Sequence, residues 1–177
     1  MNWSMLLPVS LGYALLYCVL FTGLLVLGQL IARDTLLPDY PPAIQERYGP
    51  RSQRGERTAR ILGVANGLLF IVTPVLAMID LSARTGRAPG FAEGFTFGTF
   101  LFLTLTIVDL VVLDWWLFCT LRPALVVLPG TDDMPEYRDK MFHLKVLAPK
   151  PIPYPLLMIP GYGLAVGGVT AAAGALI

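Results

Sequence analysis

Residues 95–121, FTFGTFLFLTLTIVDLVVLDWWLFCTL, decide the fold, and Asp109 and Asp114 are the charged side chains within them. A helix needs about 20 mostly apolar residues to cross the hydrocarbon core of a bilayer, so this stretch is long enough to span it. A charged side chain near the bilayer centre costs roughly 3 kcal/mol on insertion scales. The stretch therefore predicts a membrane-spanning helix in which two carboxylic acids are functional candidates.

Three further apolar stretches of similar length lie outside it, at residues 6–31, 61–81 and 154–177. Of the 177 residues, 55% are hydrophobic and only 14% are charged, whereas soluble domains average about 25% charged residues. This composition excludes a disordered chain, a disulfide-stapled secreted module and an ordinary soluble enzyme. We therefore expect an all-α, four-span transmembrane helix bundle that forms a single integral membrane domain over residues 1–177.

The positive charges predict how the chain is oriented. Loops 32–60 and 122–153 together carry eleven Lys and Arg residues, and the loop between the second and third spans carries two, Arg84 and Arg87. Basic loops stay in the cytoplasm, so the two long loops are predicted to be cytoplasmic and both termini to lie on the other side.

Loop 122–153 contains the pattern of a short helix. Asp133 and Glu136 have the spacing of a capping box with Pro135 between them, and an amphipathic helix would follow. On that helix Tyr137, Met141 and Leu144 would share one face. We expect it to lie in the membrane interface.

The polar residues within and beside the spans predict a pocket that opens to the cytoplasm. At 1.5 Å per residue, Asp109 lies about 18 Å and Asp114 about 10 Å from the end of the third span. Five residues correspond to about 140° around an α-helix, so the two carboxyl groups are predicted to form separate sites. The candidate acid–base residues are Asp114, Asp109 and His143, and the candidate substrate-binding residues are Asn66, Tyr162, Arg122, Arg33, Arg60 and Trp116.

The same residues have a structural interpretation, in which they form interhelical hydrogen bonds and an Asp–Arg pair that fix the bundle. Small residues recur every fourth position at Gly63 and Gly67, and again at 163, 167, 171 and 175. Such strips allow helices to pack closely, either within the chain or in a homo-oligomer or larger membrane complex.

Three functions remain open from the sequence. The first is an enzyme or binder that acts on a lipid-like or anionic amphiphile at the cytoplasmic leaflet, with membrane lipids as partners. The second is an accessory or assembly subunit of a membrane complex, and the third is a dimeric proton-coupled transporter that uses Asp109. A single histidine excludes bis-histidine haem, and there is no motif for nucleotide hydrolysis. We expect neither a protein-bound metal nor a nucleic-acid partner, and no motif names a cofactor.

Overall fold

The computed structural model describes residues 1–176, and every regular element within them is helical. Two 3₁₀ turns, Leu37–Asp39 and Pro135–Arg138, lie in the two long loops. The six longer helices are α1 (Trp3–Ile31), α2 (Pro42–Tyr48), α3 (Gln53–Thr85), α4 (Phe91–Leu121), α5 (Lys140–Leu147) and α6 (Tyr154–Gly174).

Four of these helices, α1, α3, α4 and α6, are long and apolar enough to cross a membrane. They correspond to the four predicted spans, so the prediction of an all-helical, multi-pass membrane protein is confirmed. Large apolar side chains point outward along them; Val64, Ile71 and Val169 are each more than 60% exposed. Exposed apolar side chains in this number are typical of helices embedded in hydrocarbon rather than in water.

Helix α3 begins earlier than predicted because polar side chains cap its first turn. The Ser52 hydroxyl accepts a hydrogen bond from the Gly55 N–H at 3.0 Å, as an N-cap residue does. Asp34 in turn accepts from the backbone N–H of Ser52 at 2.5 Å and from its hydroxyl at 3.1 Å. The arginines at 54, 57 and 60 therefore lie on the helix rather than in a loop.

Helix α4 changes its winding at the first of its two acidic residues. Phe91–Val108 is α-helical, whereas Asp109–Leu121 is π-helical, with hydrogen bonds from residue i to residue i+5. At its end the Arg122 N–H bonds the Leu117 carbonyl at 2.9 Å, five residues back. Long π-helical stretches are rare, and short ones are frequent at functional sites.

The predicted capping box in the last long loop is wrong. Pro135–Arg138 forms a 3₁₀ turn without a side-chain cap, and Asp133 instead pairs with Arg47 at 3.1 Å. Helix α5 begins after that turn and is capped by Asp139, which accepts from the N–H groups of residues 141 and 142 at 2.9 and 3.1 Å. The break at Asp139 also separates buried Tyr137 from exposed Met141, so the two residues do not share a helix face as predicted.

The chain divides into two compact units. Unit 1 comprises Met1–Val19, Leu68–Ile107 and the chain from Leu147 onward, and unit 2 comprises Leu20–Gly67 and Val108–Val146.

In unit 1 the small residues of α6 pack within the chain. A Cβ added at Gly94 would lie 3.0 Å from the Gly167 Cα, and one added at Gly98 would lie 3.1 Å from the Gly163 Cα. Such short distances require glycine on both helices. The packing of Gly163 and Gly167 against α4 supports the intramolecular interpretation of that strip.

Aromatic side chains fill another part of unit 1. The ring centroids of Tyr17 and Phe70 are 5.0 Å apart, and those of Phe70 and Tyr162 are 5.2 Å apart. The Tyr162 hydroxyl donates to the Phe70 carbonyl at 2.5 Å. Tyr162 therefore has a structural hydrogen bond inside unit 1.

Candidate functional site

The two long loops are folded together in unit 2. Side chains from both loops pack against the last turns of α4 in one hydrophobic cluster. Its buried members are Leu37, Tyr40, Ile44, Phe118, Cys119, Val126, Leu128 and Tyr137. The loops therefore form a packed layer on the end of a membrane-spanning helix, and this layer carries the site residues described below.

Tyr40 connects three segments of this cluster through its hydroxyl. The hydroxyl donates to the Val126 carbonyl at 2.6 Å and accepts from the side-chain amide of Gln29 at 3.1 Å. Burial raises the pKa of Tyr40 above its ordinary value, so the phenol remains neutral. Helix α1, the first loop and the second loop are thus joined at one buried oxygen.

Contacts with α4 fix the position of α5. The Trp115 indole N–H donates to the Lys140 carbonyl at 3.2 Å, and the Lys140 ammonium lies 5.9 Å from the centre of the Trp115 ring. These contacts hold the first turn of α5 against the π-helical part of α4. As a result, His143 lies opposite Asp114.

Asp114 and His143 form an acid–base pair. The His143 Nδ1 atom lies 3.2 Å from the Asp114 Oδ2 atom, with the imidazole side chain 6% exposed and the carboxylate side chain 28% exposed. In the neutral imidazole a proton on Nδ1 faces the carboxylate, which leaves the lone pair on Nε2. A carboxylate that orients a histidine in this way prepares it to accept a proton.

The surroundings of His143 are aromatic. The rings of Phe118 and Phe142 meet the imidazole edge-on, with centroids 5.0 and 5.1 Å away. The Nε2 atom is buried and has no hydrogen-bond partner within residues 1–176. Buried polar atoms are usually paired, so an atom of this kind is a candidate for chemistry.

The π-helical winding changes the relation between the two carboxyl groups of α4. An i to i+5 hydrogen-bond pattern places residues five positions apart one turn above each other, as i and i+4 are in an α-helix. Asp114 therefore follows Asp109 on nearly the same face, and the predicted separation of about 140° is wrong. The two carboxyl groups interact electrostatically with each other, and Asp109 also interacts with Asp39 and His143.

A cavity of about 310 Å³ lies in the same unit. Its wall is mostly apolar, and Asp39, Arg51 and Asn66 supply the larger polar groups. The lining residues are Phe21, Leu24, Leu25, Thr35, Leu36, Pro38, Asp39, Arg51, Ala59, Leu62, Gly63 and Asn66. Ligand pockets are commonly 300–1,000 Å³ and combine an apolar wall with a few polar groups, so this half-open cavity lies at the lower end of that size range.

Asp39 connects the cavity with the acid–base pair. It lines the cavity and also interacts electrostatically with Asp114 and His143. Asp39 is exposed. Desolvation by neighbouring groups, followed by the charge of Asp114, still raises the pKa of Asp39 above its ordinary value, while Arg51 and His143 act in the opposite direction. Asp114 and His143 are not among the lining residues, so the charge interaction of Asp39 is the link between the cavity and the pair.

Of the predicted substrate-binding residues, Asn66 lines the cavity. Arg60 pairs with Glu56 at 3.1 Å on the surface of α3, and Arg33 is exposed. Trp116 is 56% exposed on the π-helical segment. Their roles, like that of Tyr162 in unit 1, stay predictions.

Arg122 ends α4 in a left-handed backbone conformation, with φ of 46°. Its Nε atom is buried without a hydrogen-bond partner in the part of the chain that the structure describes. Arg122 stays a predicted binding residue on the strength of that unpaired donor.

The sequence reasoning missed Asp39, and it did not single out Arg51 from the other arginines of the loop as a binding residue. The signal for Asp39 is Pro38 directly before it, which predicts a turn at this carboxylate, but it does not indicate a cavity. No group of three or more His, Cys, Asp or Glu residues suited to a metal ion occurs within residues 1–176.

The chain matches no known family model, no curated protein and no solved structure.

Proposed function

We propose that this protein binds a lipid-like, anionic amphiphile in the cavity of unit 2 and acts on it through the Asp114–His143 pair. The observation that carries the proposal is the composition of the cavity wall. Apolar side chains such as Phe21 and Leu62 suit a hydrocarbon chain, while Asp39 and Arg51 suit a polar headgroup. A ligand with both parts is an amphiphile, which a membrane supplies directly.

The acid–base pair is assigned the chemical role. His143 Nε2 would accept or donate a proton, and Asp114 would hold the imidazole in the required tautomer. Asp109, one π-helical turn from Asp114, would tune the charge of the pair. Asp39 supports this assignment because it both lines the cavity and interacts with the pair.

The loops that build the site are proposed to face the cytoplasm. They carry eleven of the thirteen positive charges of the chain. The ligand would therefore enter from the cytoplasmic leaflet or from the cytoplasm.

A pair of glycine substitutions on α3 tests whether the cavity binds the ligand. Gly63 lines the cavity and Gly67 does not, and a Cβ at either position meets nothing within 4 Å. Leucine fits a helix better than glycine, so neither Gly63→Leu nor Gly67→Leu should impair folding. Gly63→Leu places four carbon atoms beside the cavity, and Gly67→Leu is the matched control.

The assay is calorimetric titration of the purified, detergent-solubilised protein with decanoate, a ten-carbon carboxylate. We expect binding to the wild type and to Gly67→Leu, and binding at least about tenfold weaker to Gly63→Leu, a loss of about 1.4 kcal/mol. Equal affinity in the two variants, or no binding to the wild type, would contradict the proposal.

A further inference from the structure

Two opposite charges in the cavity wall decide what headgroup the cavity accepts. Among the described residues that line the cavity, the charged side chains are those of Asp39 and Arg51. When both are ionised their charges cancel. When Asp39 is protonated the wall carries one positive charge, which is balanced by a ligand with one negative charge.

Arg51 is held in place by the turn that follows α1. Its Nη1 atom donates to the Thr35 carbonyl at 3.2 Å. Thr35 is buried, and its hydroxyl bonds to the carbonyl oxygens of Ala32 and Gly28 at 2.6 and 3.0 Å. A guanidinium group has five N–H donors in a planar fork, which suits the two oxygens of a carboxylate or phosphate.

Asp39 is faced by charged and titratable groups from several elements. Asp114 and Asp109 belong to the π-helical part of α4, His143 to α5 and Arg51 to the loop before α3, and Tyr40 is the chain neighbour of Asp39. Asp39 is exposed, and its pKa is nevertheless raised, because desolvation by neighbouring groups and the charge of Asp114 outweigh the charges of Arg51 and His143. A ligand with a negative charge beside Arg51 would disfavour the ionised form of Asp39 further.

We infer that the cavity takes an amphiphile with a singly charged anionic headgroup, which binds at Arg51, and that binding is accompanied by uptake of one proton at Asp39. This inference rests on the proposed function, since it names the ligand class of the same cavity. The proton comes from solvent and bonds to a carboxylate oxygen of Asp39, and no covalent bond of the ligand changes. The protonated carboxyl group can then donate a hydrogen bond to the headgroup.

The volume of this half-open cavity guides the choice of the probe. At about 30 Å³ for each water-sized group, 310 Å³ holds on the order of ten such groups. A chain of about ten carbon atoms fills that volume, which is why decanoate is the chosen probe. The neutral alcohol 1-decanol has the same chain without the charge.

The expected pH dependence follows from linkage. The anionic ligand binds more tightly when Asp39 is protonated. The pKa of Asp39 is therefore higher in the complex than in the free protein. Affinity for decanoate should be constant below the lower of these two pKa values and fall by up to about tenfold per pH unit between them. The affinity for 1-decanol should not fall in this way, because the alcohol carries no charge.

The experiment is calorimetric titration with decanoate in two buffers of different ionisation enthalpy, from pH 6 to pH 9, with empty detergent micelles as the blank. We expect the wild type to take up close to one proton per ligand within that range. In Asp39→Asn the side chain at position 39 is uncharged at every pH. This variant should therefore take up no proton on binding and should bind decanoate more tightly than the wild type does at pH 9. Arg51→Gln should lose decanoate binding and keep 1-decanol binding, which also shows that it is folded.

The outcomes separate the two proposals. Binding of decanoate by the wild type without proton uptake, or weaker binding by Asp39→Asn at every pH, would overturn the proton-linked headgroup site and leave the cavity as a ligand site. Failure of both decanoate and 1-decanol to bind the wild type would instead overturn the proposed function. Decanoate and decyl phosphate differ in charge at high pH, so tighter binding of the phosphate at pH 9 would contradict a singly charged ligand.

Discussion

Replacing Tyr40 by phenylalanine should destabilise the packed loops of unit 2 without changing their shape. The Tyr40 side chain is 2% exposed, and its hydroxyl bonds to the Val126 carbonyl and the Gln29 amide at 2.6 and 3.1 Å. Phenylalanine keeps the ring contact with Phe118, whose centroid is 5.0 Å away. The change therefore removes the hydrogen bonds alone.

The size of the effect follows from those two bonds. A typical intramolecular hydrogen bond contributes about 1 kcal/mol net, and a buried partner left unpaired costs about 1–3 kcal/mol. Gln29 and Val126 are both buried, so we expect Tyr40→Phe to lower the free energy of unfolding by about 2–3 kcal/mol. For a chain of this length, each 1 kcal/mol corresponds to roughly 2–4 °C in Tm.

The assay is thermal unfolding of the detergent-solubilised protein, with Tyr154→Phe as the control. Tyr154 is 64% exposed, so its substitution should change stability by less than about 0.5 kcal/mol. A Tm for Tyr40→Phe that equals that of the control would show that the hydroxyl does not join the loops to α1. It would refute the description of unit 2 as a packed layer.

Two further predictions concern the membrane orientation and the packing of unit 1. In a chain without its native cysteines, a membrane-impermeant maleimide added to intact cells should label Ala88→Cys, and should label Arg57→Cys only after permeabilisation; the reverse pattern would contradict cytoplasmic long loops. Gly94→Ala should lower stability by about 1–3 kcal/mol, because its Cβ would lie 3.0 Å from the Gly167 Cα, whereas Gly12→Ala, with nothing within 4 Å, should not. Equal stability of the two variants, measured by thermal unfolding, would show that α4 and α6 do not pack closely.

The membrane spans could be predicted from the sequence because a bilayer imposes a length and an apolar composition on each one. The first residue of α3 could not be predicted, because it depends on a cap. Ser52 and Asp34 are distant in sequence from the apolar stretch that begins near Ile61, and they extend the helix by two turns. The cap is formed by residues of the single loop before α3, and it does not alter the hydropathy pattern.

Some residues of the candidate site could be named from the sequence. Asp109, Asp114 and His143 could be identified because ionisable groups in or beside a span are costly. Their arrangement could not, because the prediction assumed α-helical winding throughout α4. The structure winds Asp109–Leu121 with i to i+5 hydrogen bonds, which brings the two carboxyl groups onto nearly the same face.

Asp39 and Arg51 could not be found by searching the spans, because both lie in the loop between α1 and α3. Their position depends on the fold of this loop, whose residues Leu37, Tyr40 and Ile44 are buried in the hydrophobic cluster. That folding depends on contacts with the second long loop, more than 80 residues away, as the Tyr40–Val126 hydrogen bond shows. A contact at this separation leaves no local pattern.

Native mass spectrometry of the full chain, released gently from its own membranes, tests most directly whether the cavity holds an amphiphile. We predict that the wild type and Gly67→Leu carry a small acidic amphiphile and that Gly63→Leu does not. Only Gly63→Leu adds a side chain to the cavity wall. If all three proteins instead form a stoichiometric complex with another subunit and carry no small ligand, that result would contradict the proposed function. It would favour an accessory role in which Asp109 and Asp114 stabilise the assembly.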